Sequence, residues 1–131
     1  MKVLIAEDDL TSRLLLQELL KDFGTAHVAV QGWEAVEAVR RALEDEEPYE
    51  LICLDIMMPE MDGQEALQQI RKLEKEFELP IEQAAKIIMT TALSDIKNVS
   101  KAYDSLCDGY LTKPIRKDAF IAEIHRLGFA G

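Results

Sequence analysis

The side chains able to do chemistry fall into four short clusters. Glu7, Asp8 and Asp9 stand in a row directly after the apolar run Val3-Leu4-Ile5-Ala6. Asp55 follows the apolar run Leu51-Ile52-Cys53-Leu54. Thr90 and Thr91 end the run that starts at Ile87, and Lys113 follows Tyr110-Leu111-Thr112 and precedes Pro114. Carboxylates gathered in one crevice repel one another, and each tends to keep its proton. A hard divalent cation removes that penalty, and Mg2+ takes oxygen ligands, usually one or two of them carboxylates. One carboxylate is then free to stay ionised and attack phosphorus, giving an aspartyl phosphate. An ammonium and a hydroxyl around the transferred group are what its spread negative charge requires.

These clusters can act together only if the fold brings them to one place. Strand-like runs at 2–6, 26–30, 51–54, 87–91 and 110–112 alternate with apolar residues at helical spacing. The helical sets are Leu14 to Phe23, stopped by Gly24; Trp33 to Leu43; Ala66 to Leu73; Ile96 to Leu106; and Phe120 to Leu127. Strands written as continuous apolar runs are covered on both faces, which implies a parallel α/β sheet with helices on each side. In such a sheet ligands gather beyond the carboxyl ends of the strands, and all four clusters stand there. The stretch 72–85 is longer than an ordinary connection and reads as an extended third helix or a surface insertion around Pro80. Trp33 reads as a helix anchor, His27 as structural, and Thr90 as a strand residue.

Composition bounds the rest. The chain of 131 residues, 48% hydrophobic and 31% charged, has room for one domain over 1–131, and no output domain is expected after it. Fifteen Lys and Arg stand against 25 Asp and Glu, a net charge of -10. That argues against nucleic acid and against an anionic membrane surface as partners. The excess acid is confined to residues 1–65, with 16 acidic and 5 basic side chains; residues 66–131 carry 9 and 10. Cys53 and Cys107 lack metal-ligand or redox spacing and read as buried thiols of a cytoplasmic protein. No signal peptide or membrane-spanning run is legible.

In order, Ile5-Ala6-Glu7-Asp8, Arg13, Leu54-Asp55-Ile56-Met57-Met58-Pro59-Glu60-Met61-Asp62-Gly63, Met89-Thr90-Thr91-Ala92 and Gly109-Tyr110-Leu111-Thr112-Lys113-Pro114 resemble the receiver domain of response regulators in bacterial two-component signalling. The resemblance implies a flavodoxin-like, doubly wound, five-stranded parallel sheet of order 2-1-3-4-5 with five helices in three α/β/α layers. It implies that Asp55 is the phosphoacceptor. Asp8 would ligate Mg2+ (Mn2+ being the alternative ion) directly, Glu7 through water, and Met57 through its backbone carbonyl. Asp9 would be a variable acid past the pair; a rival register makes the pair Asp8 and Asp9. Thr91 and Lys113 would each bond a phosphoryl oxygen, Tyr110 would be a switch aromatic, and Lys113-Pro114 a cis peptide. The positions facing a hydrolytic water in this family are here Met57 and Leu93, both apolar, so a long-lived phosphorylated state is expected.

The implied function is a stand-alone signalling switch, not an enzyme beyond its own phosphoryl transfer and slow autodephosphorylation. Its partners would be a sensor histidine kinase or histidine phosphotransfer protein and an unnamed downstream protein. That target would be bound through the face of the fourth predicted helix, fifth strand and last helix. The chain would be a monomer, or a dimer once phosphorylated. Three alternatives stand beside this: a phosphorelay intermediate, a non-phosphorylated binding module, and an aspartate-nucleophile phosphatase. Such phosphatases carry a second Asp two positions after the nucleophile, and Met57 occupies that place.

Overall fold

The structure, a computed structural model, describes residues 1–58, 60–92 and 106–129. Five strands form one sheet: β1 (Lys2–Ala6), β2 (Thr25–Ala29), β3 (Leu51–Asp55), β4 (Lys86–Ala92) and β5 (Gly109–Lys113). Their order is β2-β1-β3-β4-β5 and every pairing is parallel. Helices α1 (Leu10–Leu20), α2 (Gly32–Glu44), α3 (Gly63–Glu76) and α4 (Lys117–Arg126) make up the helical layers among the described residues. The helix expected over 96–106 falls almost wholly outside the described residues, as does Leu93.

Alternation along the strands builds two cores. Leu4, Ala6, Ile52, Leu54, Ile87 and Met89 pack on one face against Val36, Val39, Leu67 and Ile70 of α2 and α3. Val3, Ile5, Leu51, Cys53, Ile88 and Leu111 pack on the other against Leu16, Leu20, Phe120 and Ile124 of α1 and α4. With a period of two, strand residues can fill both faces only if both are covered, so the apolar runs of β1, β3 and β4 are what a three-layer α/β/α sandwich demands. The exception is β2. It pairs only with β1, and Thr25, His27 and Val28 are exposed, as befits an edge strand. His27 is held there by the Tyr49 hydroxyl, 2.7 Å from its Nδ1.

Three expectations shift. α1 stops at Leu20, before Phe23, because the turn toward Gly24 begins there: Phe23 N–H bonds Leu20 O, and Gly24 adopts φ 154° with a backbone so close to Met1 that a Cβ would collide with it. Trp33 is no anchor. It sits in the first turn of α2, 49% exposed, with its indole N–H donating to Gln31 at 2.5 Å. Cys107, expected buried, is half-buried, while Cys53 is fully buried and its thiol pushed up to about 12 by desolvation.

Over 72–85, α3 continues to Glu76 and the chain returns through a 3-10 turn at Ile81–Gln83. A half-buried arginine ties this return to the sheet. Arg71 donates to Glu74 (2.8 Å), to the carbonyls of Ala85 (2.9 Å) and Leu106 (2.7 Å), and to Asp108 (3.1 Å). Glu74 in turn accepts from Ala85 N–H at 2.9 Å and Asp108 from Ile87 N–H at 2.8 Å. No helix among the described residues is long and apolar enough to cross a membrane.

Candidate functional site

Parallel pairing sets the carboxyl ends of β1, β3, β4 and β5 side by side. Asp55 is the last residue of β3, in register with Thr90 of β4, and Lys113 is the last of β5, in register with Ala92. Glu7 follows β1, its N–H held by Ala29 O of β2 at 2.9 Å. Register alone therefore brings together groups far apart in sequence: Lys113 Nζ lies 2.7 Å from Glu7 Oε1, 106 residues away. It also lies 3.3 Å from Asp55 Oδ2, an ion pair without hydrogen-bond alignment.

The three acids divide their work once the helix start is fixed. Asp9 is the N-cap of α1: its carboxylate accepts from Ser12 N–H at 2.9 Å and from Ser12 Oγ at 2.7 Å. The Ser12 bonds hold its pKa below the ordinary carboxylate value. Asp9 is thereby occupied as a cap. Glu7, Asp8 and Asp55 instead offer oxygens that all lie within 4.8 Å of one another, with Glu7 and Asp55 buried and Asp8 exposed.

The electrostatics follow from burial. Asp55 is 2% exposed. Desolvation foremost, and then the neighbouring Glu7 carboxylate, push its pKa up to about 7, against the opposing pull of Lys113 and the Met57 N–H. That N–H donates to Asp55 Oδ1 at 3.2 Å. Burial works against the charge of Lys113, but Glu7 and Asp55 outweigh it and its pKa stands above the ordinary value. Glu7 Oε2 and Asp55 Oδ2 are buried without hydrogen bonds. Two acids with orphaned oxygens beside a third, exposed one are a donor set short of positive charge. All the donors are hard oxygens, which fits Mg2+.

Gly63, the first residue of α3, makes the close approach behind Asp55. Its N–H bonds Ile56 O at 2.8 Å, and a Cβ there would stand 2.2 Å from Asp55 O. Asp62 caps α3 through Glu65 N–H at 2.9 Å. Met57 lies in the loop between them, 59% exposed. The Lys113-Pro114 peptide is cis.

Thr91 and Tyr110 fall on the opposite face from Asp55. Met89 and Tyr110 are register partners, Tyr110 packs against the α2/α3-side core, and Thr91 continues the Met89 face. Thr91 is fully buried, its hydroxyl donating to Ala92 O at 3.3 Å. Thr90 is 1% exposed, with a hydroxyl that has no partner. The sequence marks Thr90 only as a polar residue in an apolar run and Gly63 only as a glycine after an acidic loop, and it carries no local signal for the contacts of Arg71.

Comparison with known proteins places this arrangement. Residues 3–125 match the family model of the response regulator receiver domain. The chain is 36% identical over 124 residues to the chemotaxis protein CheY of Halobacterium salinarum, covering 94% of this chain and 92% of that one. Among solved structures it resembles the receiver domain of Ssk1 from Saccharomyces cerevisiae, co-crystallised with the histidine phosphotransfer protein Ypd1, with TM-score 0.79, 30% identity and coverage of 98% and 88%. It also resembles the receiver domain of the histidine kinase CKI1 of Arabidopsis thaliana complexed with Mg2+, with TM-score 0.79, 27% identity and coverage of 96% and 90%. Other matches are sensor and hybrid histidine kinases, of whose length the chain spans only 6% to 12%. Matched along nearly its whole length, and sharing the sheet order that the strand ends require, the chain belongs to the response regulator receiver domain family.

Proposed function

We propose that this protein is a phosphorylation-activated switch whose acceptor is Asp55. The observation that carries the reading is the meeting of Glu7, Asp8 and Asp55 within 4.8 Å, with the Lys113 ammonium set against two of them. Glu7, Asp8, Asp55 and the Met57 backbone carbonyl would hold Mg2+, with Mn2+ the alternative; when bound, the ion offsets the carboxylate charge and that of the incoming phosphoryl oxygens.

The chain's own residues supply the rest. Burial and the Met57 N–H fix the Asp55 carboxylate at the mouth of the sheet. One of its oxygens forms a bond to phosphorus as the donor's nitrogen–phosphorus bond breaks. The electron pair returns to the donor imidazole, which takes its proton from solvent. Lys113, held by Glu7, stabilises the charge on the transferred group. Thr91 would turn its hydroxyl from Ala92 O toward a phosphoryl oxygen, and Tyr110, on the same face, would follow. The surface around β5 and α4 would then bind a downstream protein with altered affinity. Such a change extends only as far as the phosphoryl group interacts differently with the two arrangements.

A phosphohistidine donor, in a sensor kinase or a phosphotransfer protein, is supported by the Ssk1 receiver domain's complex with Ypd1. The same complex favours, as a second reading, a relay in which phosphate passes onward. The test is incubation with a small acyl-phosphate donor and Mg2+, read by intact mass. Native protein is expected to gain one phosphoryl group and Asp55→Asn none; a gain in both, or in neither, overturns the reading.

A further inference from the structure

Three buried side-chain oxygens have no hydrogen-bond partner among the described residues: Glu7 Oε2, Asp55 Oδ2 and Thr90 Oγ1. The first two belong to acids of the site. The third has no role in the function proposed above. All three lie at one level of the sheet. Thr90 is the register partner of Asp55 across β3 and β4, and Glu7 follows Ala6, the partner of Leu54. Two residues earlier on these strands, Ile5, Cys53 and Ile88 share one core face. With period two, Glu7, Asp55 and Thr90 continue that face. Paired strands run about 4.8 Å apart, so the Thr90 and Asp55 side chains are nearest neighbours across β3 and β4 on one face, and neither free oxygen is hydrogen-bonded. At 1% exposure the hydroxyl has no bulk water to turn to. A buried hydroxyl without an acceptor costs free energy that a valine of the same outline would not.

We propose that Thr90 is a positioning residue for phosphoryl transfer, its buried hydroxyl donating to the Asp55 carboxyl. The inference rests on the acceptor role of Asp55. The hydroxyl holds one carboxyl oxygen while the other bonds phosphorus. On hydrolysis a water oxygen bonds phosphorus, the bond from phosphorus to Asp55 breaks, and its electron pair stays on the carboxylate. A hydrogen bond to that ionised oxygen is stronger than one to the neutral carbonyl of the acyl phosphate. The donor therefore stabilises the leaving carboxylate, and its removal slows loss of the phosphoryl group. Thr91 stands on the opposite face of β4 from Thr90, and its proposed role is toward the phosphoryl oxygens, not the carboxyl of Asp55.

The test uses the full chain in three forms: native, Thr90→Val and Thr90→Ser. After loading with a small acyl-phosphate donor and Mg2+ and removal of the donor, Thr90→Val is expected to lose phosphoryl about fivefold more slowly than native. Thr90→Ser, which keeps the hydroxyl, should stay within roughly twofold on the same grounds. Independently, a double-mutant cycle of Thr90→Val with Asp55→Ala, followed by urea unfolding in chelator at alkaline pH, should be non-additive by about fivefold in the unfolding constant. An additive cycle overturns the proposal, and so do equal lifetimes of native and Thr90→Val. A native protein that takes up no phosphoryl group removes the acceptor role of Asp55 and this role with it. A native protein that is phosphorylated but indifferent to Thr90→Val removes this role alone.

Discussion

Replacing Asp55 with Asn should stabilise the metal-free protein, by an amount that depends on pH. The folded state raises the Asp55 pKa from 3.8 to about 7, chiefly through burial and then through Glu7. A carboxyl whose pKa is raised by folding favours the folded state below its unfolded pKa. That contribution is lost as pH rises through the folded one. Stability of the metal-free protein should therefore fall between about pH 4 and pH 7 on account of this group. At about 1.4 kcal/mol per unit, the full displacement corresponds to on the order of 4 kcal/mol. An amide keeps the shape and the bond from Met57 N–H without the buried charge. It also gives up the ion pair with Lys113, at 3.3 Å, so a net gain of roughly 2 kcal/mol is expected for Asp55→Asn at pH 8. Urea unfolding followed by circular dichroism in chelator, at steps from pH 5 to pH 8.5, measures it. The gain should shrink toward pH 5, where native Asp55 is protonated. With Mg2+ in excess, native protein should gain stability with the logarithm of ion concentration and the variant far less. A variant that is neutral or destabilised at pH 8, or a gain that is the same at every pH, would refute the electrostatic account of the site.

Two further outcomes follow from the geometry. Gly63→Ala drives a Cβ to 2.2 Å from Asp55 O, against the backbone of Asp55 and Ile56; it should cost about 3 kcal/mol or more in urea unfolding and slow uptake of phosphoryl from a small donor. Wild-type stability would show that the α3 start yields more readily than its packing implies. Met57, 59% exposed beside the acceptor, offers nothing polar to orient a water, so native protein should hold its phosphoryl group for minutes or longer and Met57→Asn should shorten that by roughly tenfold. A native half-time of seconds in Mg2+, read by intact mass, would count against it.

Much of the fold was legible because its signals are local. Apolar runs such as Leu51–Leu54 can exist only where both sheet faces are covered, and turn residues and acids after those runs mark strand ends. That is why Asp55, Lys113 and the row Glu7-Asp8-Asp9 could be assigned to one crevice from the order of residues alone. Within that row only the family resemblance divided the labour, setting Glu7 and Asp8 toward the ion and Asp9 past them, with Asp8 and Asp9 as the rival pair. Three adjacent carboxylates look alike until the first turn of α1 is placed, and then Asp9 is taken by Ser12 as a cap while Glu7, fully buried, is taken by Lys113. The same holds for Trp33, which fits a helical apolar pattern yet lies outside the packed stripe of α2.

Periodicity tells which face a residue can share, but not how deeply that face is covered or what stands across from it. The raised pKa of Asp55, the reach of Arg71 from α3 to Leu106 and Asp108, and the pairing of Thr90 with Asp55 all depend on parallel register between strands tens of residues apart. Burial and register are properties of the assembled sheet. They set the dielectric and the neighbours of each charge, and these decide what a carboxylate or a hydroxyl can do.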